Sequence, residues 1–400
     1  MKQVSTAVFI IAIMVVLVLG GCAQSTPAPA PGPKTLTIGS IWGLTGPGSE
    51  IMTMMSMSET MCKDWINKKG GIDIQGQKYL IDIITEDNKN AADGCITSAQ
   101  KLVFQHKVKF VIGTVVPFQS ETIRTITDPN KVFFMASVYD VPSPDFPYTF
   151  GAYFPYGDAK PVEYDYLVKA YPNVKRVYVV HEDEAANNRA ADRAVVEIQK
   201  RGLELVANES YIWGTSDFYS LLTKVIATKP DAIDRNMGFP DNGATFVKQA
   251  RELGFTGPIL ANSPWDPNLL LQMIGPEAAT DFFLPTVDPT SPSVQVPPLL
   301  TEIMKLWDET YHVPFVLDAC RGWDPLYVTV QAIEKAQSFD PEEVAKVFQT
   351  MGTVDTSVGP APIGGLKSYG INAVLAENVP LSRLQNGEIE FIGWFPLNIP

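Results

Sequence analysis

The chain has 400 residues, 46% of them hydrophobic, which is enough for about two domains with cores of their own and excludes a disordered or fibrous protein. Its formal net charge of -13 makes nucleic acid and anionic lipid poor partners, because both repel an acidic surface.

Residues 1–21 read as a secretion signal. Lys2 precedes the apolar run Ala7–Leu19, which is shorter than the roughly 20 residues a membrane-spanning helix needs, and Gly20 and Gly21 close it. The segment ends in Leu19-Gly20-Gly21-Cys22, which resembles the lipobox of bacterial lipoproteins and implies cleavage before Cys22 and lipidation there; the alternative is an ordinary signal peptide with a chance cysteine. Residues 22–33 continue as a Pro-rich, uncharged tether, semi-extended over up to roughly 30 Å. Of Cys62, Cys95 and Cys320 at most two can pair within the chain, and no spacing predicts a metal site.

The first predicted strand, Thr35–Ile41, runs into a loop with Gly43, Gly46, Pro47 and Gly48, where Trp42 offers an apolar face and Thr45 a hydroxyl. Loops at the carboxyl ends of strands are where open α/β sheets bind ligands, so this loop is expected to form one wall of a cleft. Helix Ile51–Lys69 follows, rich in Met and stopped by Gly70-Gly71; its Met stripe reads as core filling. The alternation continues with strand Tyr79–Thr85, helix Ala91–His106, strand Lys109–Ile112, helix Ser120–Thr127 and strand Val132–Met135. Strands separated by helices of this length predict right-handed crossovers and a parallel sheet.

Ser143–Tyr156, rich in Pro and rings, breaks the rhythm, and a second βα series runs from helix Ala159–Tyr171 to strand Pro258–Ala261. Asp288–Pro298 is a second break, followed by helices Leu299–Tyr311, Ala319–Ala336 and Pro341–Thr350. A third break, Gly359–Gly365, precedes two expected strands around Ile371–Leu375 and Glu388–Trp394. Three breaks between two βα blocks predict three crossings between two lobes. Lobe one is expected over 34–152 plus 288–358, and lobe two over 153–287 plus 359–400.

The ordered set Leu19–Cys22, Leu44-Thr45-Gly46-Pro47, Asn67–Ile72, Glu86-Asp87, Val111-Ile112-Gly113, Gln249–Gly254 and Val358-Gly359-Pro360 resembles the substrate-binding lipoproteins of ABC importers, in the branched-chain amino acid (leucine/isoleucine/valine-binding) family with a type I periplasmic-binding-protein fold. The resemblance covers nearly the whole chain after Cys22. It implies an α/β protein of two Rossmann-like lobes with parallel central sheets, a three-segment hinge, a small-molecule ligand between the lobes, and delivery to a permease with a cytoplasmic ATPase. A lipid-anchored protein outside the cytoplasm is expected, as a monomer and with no cofactor.

The family's amino-acid clamp is not matched residue by residue. Its Ser-rich turn is Val115–Ser120 here, with Ser120 displaced; Ala136-Ser137-Val138-Tyr139 keeps Ser137 but has Tyr139 for a threonine; and the ammonium-binding acid falls near Ser263. The cleft is instead expected to be rimmed by Trp42, Phe118, Tyr139, Tyr153, Phe239 and Trp265, with polar groups from Thr45, Gln119, Ser120 and Ser137, which suits a hydrophobic or aromatic carboxylic acid. Arg235, late in its strand, and Arg321, opening a helix, are both placed to pair with a carboxylate. Arg235 could equally be neutralised by Asp234 or Asp231. A branched-chain amino acid or a short amide or urea is the competing ligand, and a tethered sensor the competing role. An enzyme is disfavoured, with three histidines, no Gly-x-Ser-x-Gly and no metal-binding His pair.

Overall fold

The computed structural model describes residues 33–46, 48–212, 214–236, 240–262 and 265–400. The chain opens with β1 (Lys34–Trp42), α1 (Ser49–Lys68), β2 (Ile72–Ile74), β3 (Gln77–Asp87), α2 (Ala92–Gln100), β4 (Phe110–Gly113), α3 (Pro117–Thr127), β5 (Phe133–Ala136) and β6 (Thr149–Gly151). It then builds α4 (Lys160–Ala170), β7 (Arg176–Glu182), α5 (Ala185–Lys200), β8 (Glu204–Tyr211), α6 (Tyr219–Ala227), β9 (Ala232–Asn236), α7 (Pro240–Glu252), β10 (Ile259–Ala261), α8 (Pro267–Ile274) and β11 (Phe282–Leu284). The last part comprises α9 (Pro298–Tyr311), α10 (Cys320–Ala336), α11 (Pro341–Thr350), β12 (Thr353–Thr356), β13 (Gly359–Gly364), α12 (Leu366–Tyr369), β14 (Val374–Leu375), β15 (Val379–Gln385) and β16 (Glu388–Phe395).

Two sheets result, in the orders β12-β13-β14-β6-β5-β4-β1-β3-β2 and β16-β15-β11-β10-β9-β7-β8. The centre of each is parallel, as helices of this length between strands require. The expected alternation is present. Several strands have no sequence signal of their own: β2, β6 and β11 are three residues long and exist because a longer neighbour offers its edge.

Helices α9 to α11 return to the first sheet, where they bury Leu300, Ile303, Trp307, Trp323, Ile333 and Phe348 in one core with residues of α1, β4 and β5. The Met residues of α1 pack on two sides, Met61 in that core and Met52 and Met55 against Trp42 and Val138. α1 and α10 touch at backbone distance, since a Cβ on Gly322 would lie 1.8 Å from the Met55 carbonyl oxygen. A side chain at 322 would therefore push the two helices apart.

The third crossing falls later than the expected boundary at 359. β13 pairs with β14 and β14 with β6, so both belong to the first sheet, and the chain passes to the second sheet between Leu375 and Val379. After β16 the tail returns: Leu397 and Ile399 pack with Phe154, Val374 and Val379, and the Gly365 N–H donates to the Ile399 carbonyl at 3.0 Å. The tail is thus a fourth segment between the lobes, beside the three that the sequence predicts.

Candidate functional site

A cavity of about 40 Å³ lies where the crossings meet. Tyr153 from the first crossing, Pro285 from the second and Glu377 from the third line it, with Asp318 from the turn Leu317–Ala319 and Arg321 and Asp324 from the start of α10. The spacing 318, 321, 324 sets the three charged side chains on one face of the helix start.

Arg321 is the centre of this group. Its guanidinium carbon lies 3.9 Å from the centre of the Tyr153 ring, and its Nε donates to Asp318 Oδ1 at 3.2 Å. Its Nη1 and Asp318 Oδ2 are buried and have no hydrogen-bond partner. The Ser357 N–H and hydroxyl donate to the two oxygens of Asp324 at 2.7 and 2.6 Å. Pro325 lies inside α10 and has no N–H, so the Arg321 carbonyl lacks its helical donor; the Ser137 hydroxyl donates to it instead.

Burial sets the charge state. It pushes Asp318 up to about 6 against the pull of Arg321, and it pushes Asp324 and Glu377 up as well, with Asp324 reinforcing the shift at Glu377. Burial alone would lower the guanidinium's pKa, but Tyr153, Tyr156 and Asp318 outweigh it and keep Arg321 charged. The cluster therefore presents one cation and one accompanying carboxylate, with the two remaining acids biased toward their protonated forms.

The remaining sequence candidates are placed as follows. Trp42 is wholly buried among Met52, Met55, Val115 and Val138 rather than at a loop entrance, and its indole N–H donates to Glu59 at 2.7 Å. Burial pushes Glu59 up to about 7, although the bonds from Trp42 and Ser40 pull it down. The Thr45 hydroxyl donates to Asp87 at 2.6 Å. Gln119 is bonded within its lobe: its oxygen accepts from Asn88 at 3.0 Å and from the Thr114 hydroxyl, and its nitrogen donates to Asn90 at 3.1 Å. The Ser120 hydroxyl donates to the Pro117 carbonyl at 2.7 Å, and the Tyr139 hydroxyl accepts from Arg124 at 2.7 Å. Phe118 is half-buried at the start of α3, and Trp265 is half-buried against the second lobe's core. Ser137 and Tyr153 line the cavity. Cys22 and Phe239 lie outside the described residues.

Arg235 departs most from its expected setting. It is wholly buried, boxed by Phe246, Phe218 and Tyr211 at 4.9, 5.6 and 5.8 Å, and its Nη2 donates to Asn242. Neither acid expected to neutralise it does so. Asp234 points to the opposite face of β9, where it accepts from Lys160 at 2.7 Å and Tyr164 at 2.8 Å, while Asp231 accepts the N–H groups of Lys175 and Arg176. Asp318, Asp324 and Glu377 are not among the residues the sequence points to; for the first two, the charged residues Asp318, Arg321 and Asp324 at helical spacing across the start of α10 are the available signal.

The lobes also meet away from the cavity. Arg189 of α5 donates to Asp140, after β5, at 2.6 Å and to Glu121 of α3 at 2.9 Å. Cys62, Cys95 and Cys320 are free and buried. Among the described residues no group of three or more His, Cys, Asp or Glu could hold a metal ion, and no helix is long and apolar enough to cross a membrane.

Comparison with known proteins places this geometry among relatives. The profile of the periplasmic binding protein family matches residues 35–387. The Leu/Ile/Val-binding protein homolog 3 of Brucella melitensis biotype 1 is 24% identical over 328 residues, covering 81% of this chain and 86% of its own. The structure is similar to that of the branched-chain amino acid transporter substrate-binding protein LivJ from Streptococcus pneumoniae in complex with isoleucine, with a TM-score of 0.74, 18% identity, and 91% and 99% of the two chains covered. It is likewise similar to an ABC transporter solute-binding protein from R. palustris in complex with benzoate, with a TM-score of 0.73, 17% identity, and 92% and 98% covered.

Proposed function

Since the chain belongs to the periplasmic binding protein family, as a substrate-binding component of an ABC transporter with the type I fold, we propose that it takes a hydrophobic or aromatic carboxylic acid between its lobes and delivers it to a permease. The observation that carries this reading is the Arg321 Nη1, buried at the crossing of the lobes beside the Tyr153 ring and without a partner. A guanidinium fork is suited to a carboxylate, and the edge of the Tyr153 ring, whose faces carry the guanidinium and Phe154, to an apolar body. Isoleucine and benzoate, held by two similar structures, are both carboxylates with an apolar remainder.

A space of about 40 Å³ takes a few waters, whereas ligand sites in proteins span roughly 300–1,000 Å³. Entry therefore needs the lobes to part. A ligand that touches both lobes gains its full contacts only when they close on it, which shifts the population toward the closed form the permease reads. Cleavage before Cys22 and lipidation there would tether the protein to the outer side of a membrane through residues 22–33.

The test is a thermal-shift screen of the purified protein against aromatic and aliphatic acids, branched-chain amino acids, amides and sugars, because a ligand of the native form raises its melting temperature. Acids are expected to give the largest shifts, and Arg321→Gln to abolish them. A response to amides alone, or one that survives Arg321→Gln intact, would sink the reading.

A further inference from the structure

Arg321 and Asp318 are bound to each other by one hydrogen bond only, Nε to Oδ1 at 3.2 Å, and each keeps a second polar atom in reserve. Arg321 Nη1 is a donor, Asp318 Oδ2 is an acceptor, and both are buried without a protein partner. The two side chains are nine-tenths or more buried and line the same cavity. A ligand that displaces solvent from this corner must replace two hydrogen bonds of opposite polarity. A plain carboxylate replaces one of them and leaves an anionic oxygen facing its own negative charge.

We infer that Asp318 reads a hydrogen-bond donor on the ligand close to its carboxylate, so that the site selects α-hydroxy acids, whose carboxylate and donor are two bonds apart, over the parent acids. The inference rests on the reading of the ligand as an acid and deepens it. The Asp318 oxygen accepts from the ligand hydroxyl while the Arg321 fork donates to the ligand carboxylate; Asp318, in the turn Leu317–Ala319, and Arg321, in the first turn of α10, are held together by their own hydrogen bond. A site whose buried polar groups are left unpaired by an analogue rejects that analogue strongly. The Tyr153 ring, stacked between the guanidinium and Phe154, holds the fork in place and offers its edge to the cavity.

Isothermal titration of the full chain with two matched pairs tests this: mandelate against phenylacetate, and 2-hydroxy-4-methylpentanoate against 4-methylpentanoate. The hydroxy acid is expected to bind about tenfold or more tightly in any pair that binds, and the ratio is expected to collapse to about threefold or less in Asp318→Ala. Equal affinities within a pair, or tighter binding of the parent acid, would overturn the role of Asp318 and leave the acid reading standing. Binding of none of the four acids would overturn the acid reading and this inference with it. The wild-type ratio decides between these outcomes even if Asp318→Ala does not fold.

Discussion

The Ser137 hydroxyl donates to the carbonyl of Arg321, the group that Pro325 leaves without a helical partner. One side chain from the end of β5 thereby completes the first turns of α10, where Arg321 is displayed. The bond ties a loop of the first sheet to the helix that carries the cation.

Removing it should cost stability in a way that depends on Pro325. Ser137→Ala leaves a buried carbonyl unpaired and should destabilise the protein by about 1–2 kcal/mol. With Pro325→Ala the helix supplies its own N–H, and the same Ser137→Ala change should then cost under about 0.5 kcal/mol. Denaturant titrations of the four proteins measure the coupling; equal costs in both backgrounds would show that the hydroxyl does not serve this carbonyl.

Arg189 should act on ligand affinity without lining the cavity. It joins α5 to Asp140 and Glu121 across the lobes, so Arg189→Gln removes contacts made only when the lobes are together. Affinity is expected to fall about three- to tenfold, chiefly through faster release, with the order of preference among ligands unchanged. Stopped-flow association and dissociation rates check this, and an unaltered release rate would mean that the bridge has no part in holding the lobes.

Stability should fall as pH rises from about 5 to about 8. Burial pushes Glu59 up from 4.5 to about 7 and Asp140 and Asp318 up from 3.8 to about 6, with Glu163, Asp324 and Glu377 shifted in the same direction. A folded state with raised carboxyl pKa values binds more protons than the unfolded chain, so this stabilisation is complete below the unfolded values and lost as pH passes the folded ones. A shift of two units or more corresponds to about 3 kcal/mol per group. Thermal melts should give a higher midpoint at pH 5 than at pH 8, and Glu59→Gln should narrow the difference; a midpoint that climbs toward pH 8 contradicts the assignment.

What could be read along the chain was what depends on near neighbours. The β1 alternation, the Met-rich α1 ended by Gly70, and the succession of strands and helices follow from side-chain period and from stop residues a few positions apart. The breaks at 143–156 and 288–298 were visible for the same reason, since Pro-rich stretches cannot continue either element. The family resemblance drew on these local motifs in their order.

Only the tertiary structure decided which residues face the cavity, because that depends on partners far apart in sequence. Trp42 and Arg235 looked like rim and anchor, but Glu59 engages the one and three rings enclose the other. Gln119 looked like a ligand contact, but Asn88, brought from 31 positions away, donates to its oxygen. Arg321 stands at the crossing because residues near 153, 285 and 377 converge there, and β14 joins the first sheet because β6 offers it a free edge. A strand of two residues and a charge with an unpaired atom carry no local signature; both are set by what the rest of the fold places beside them.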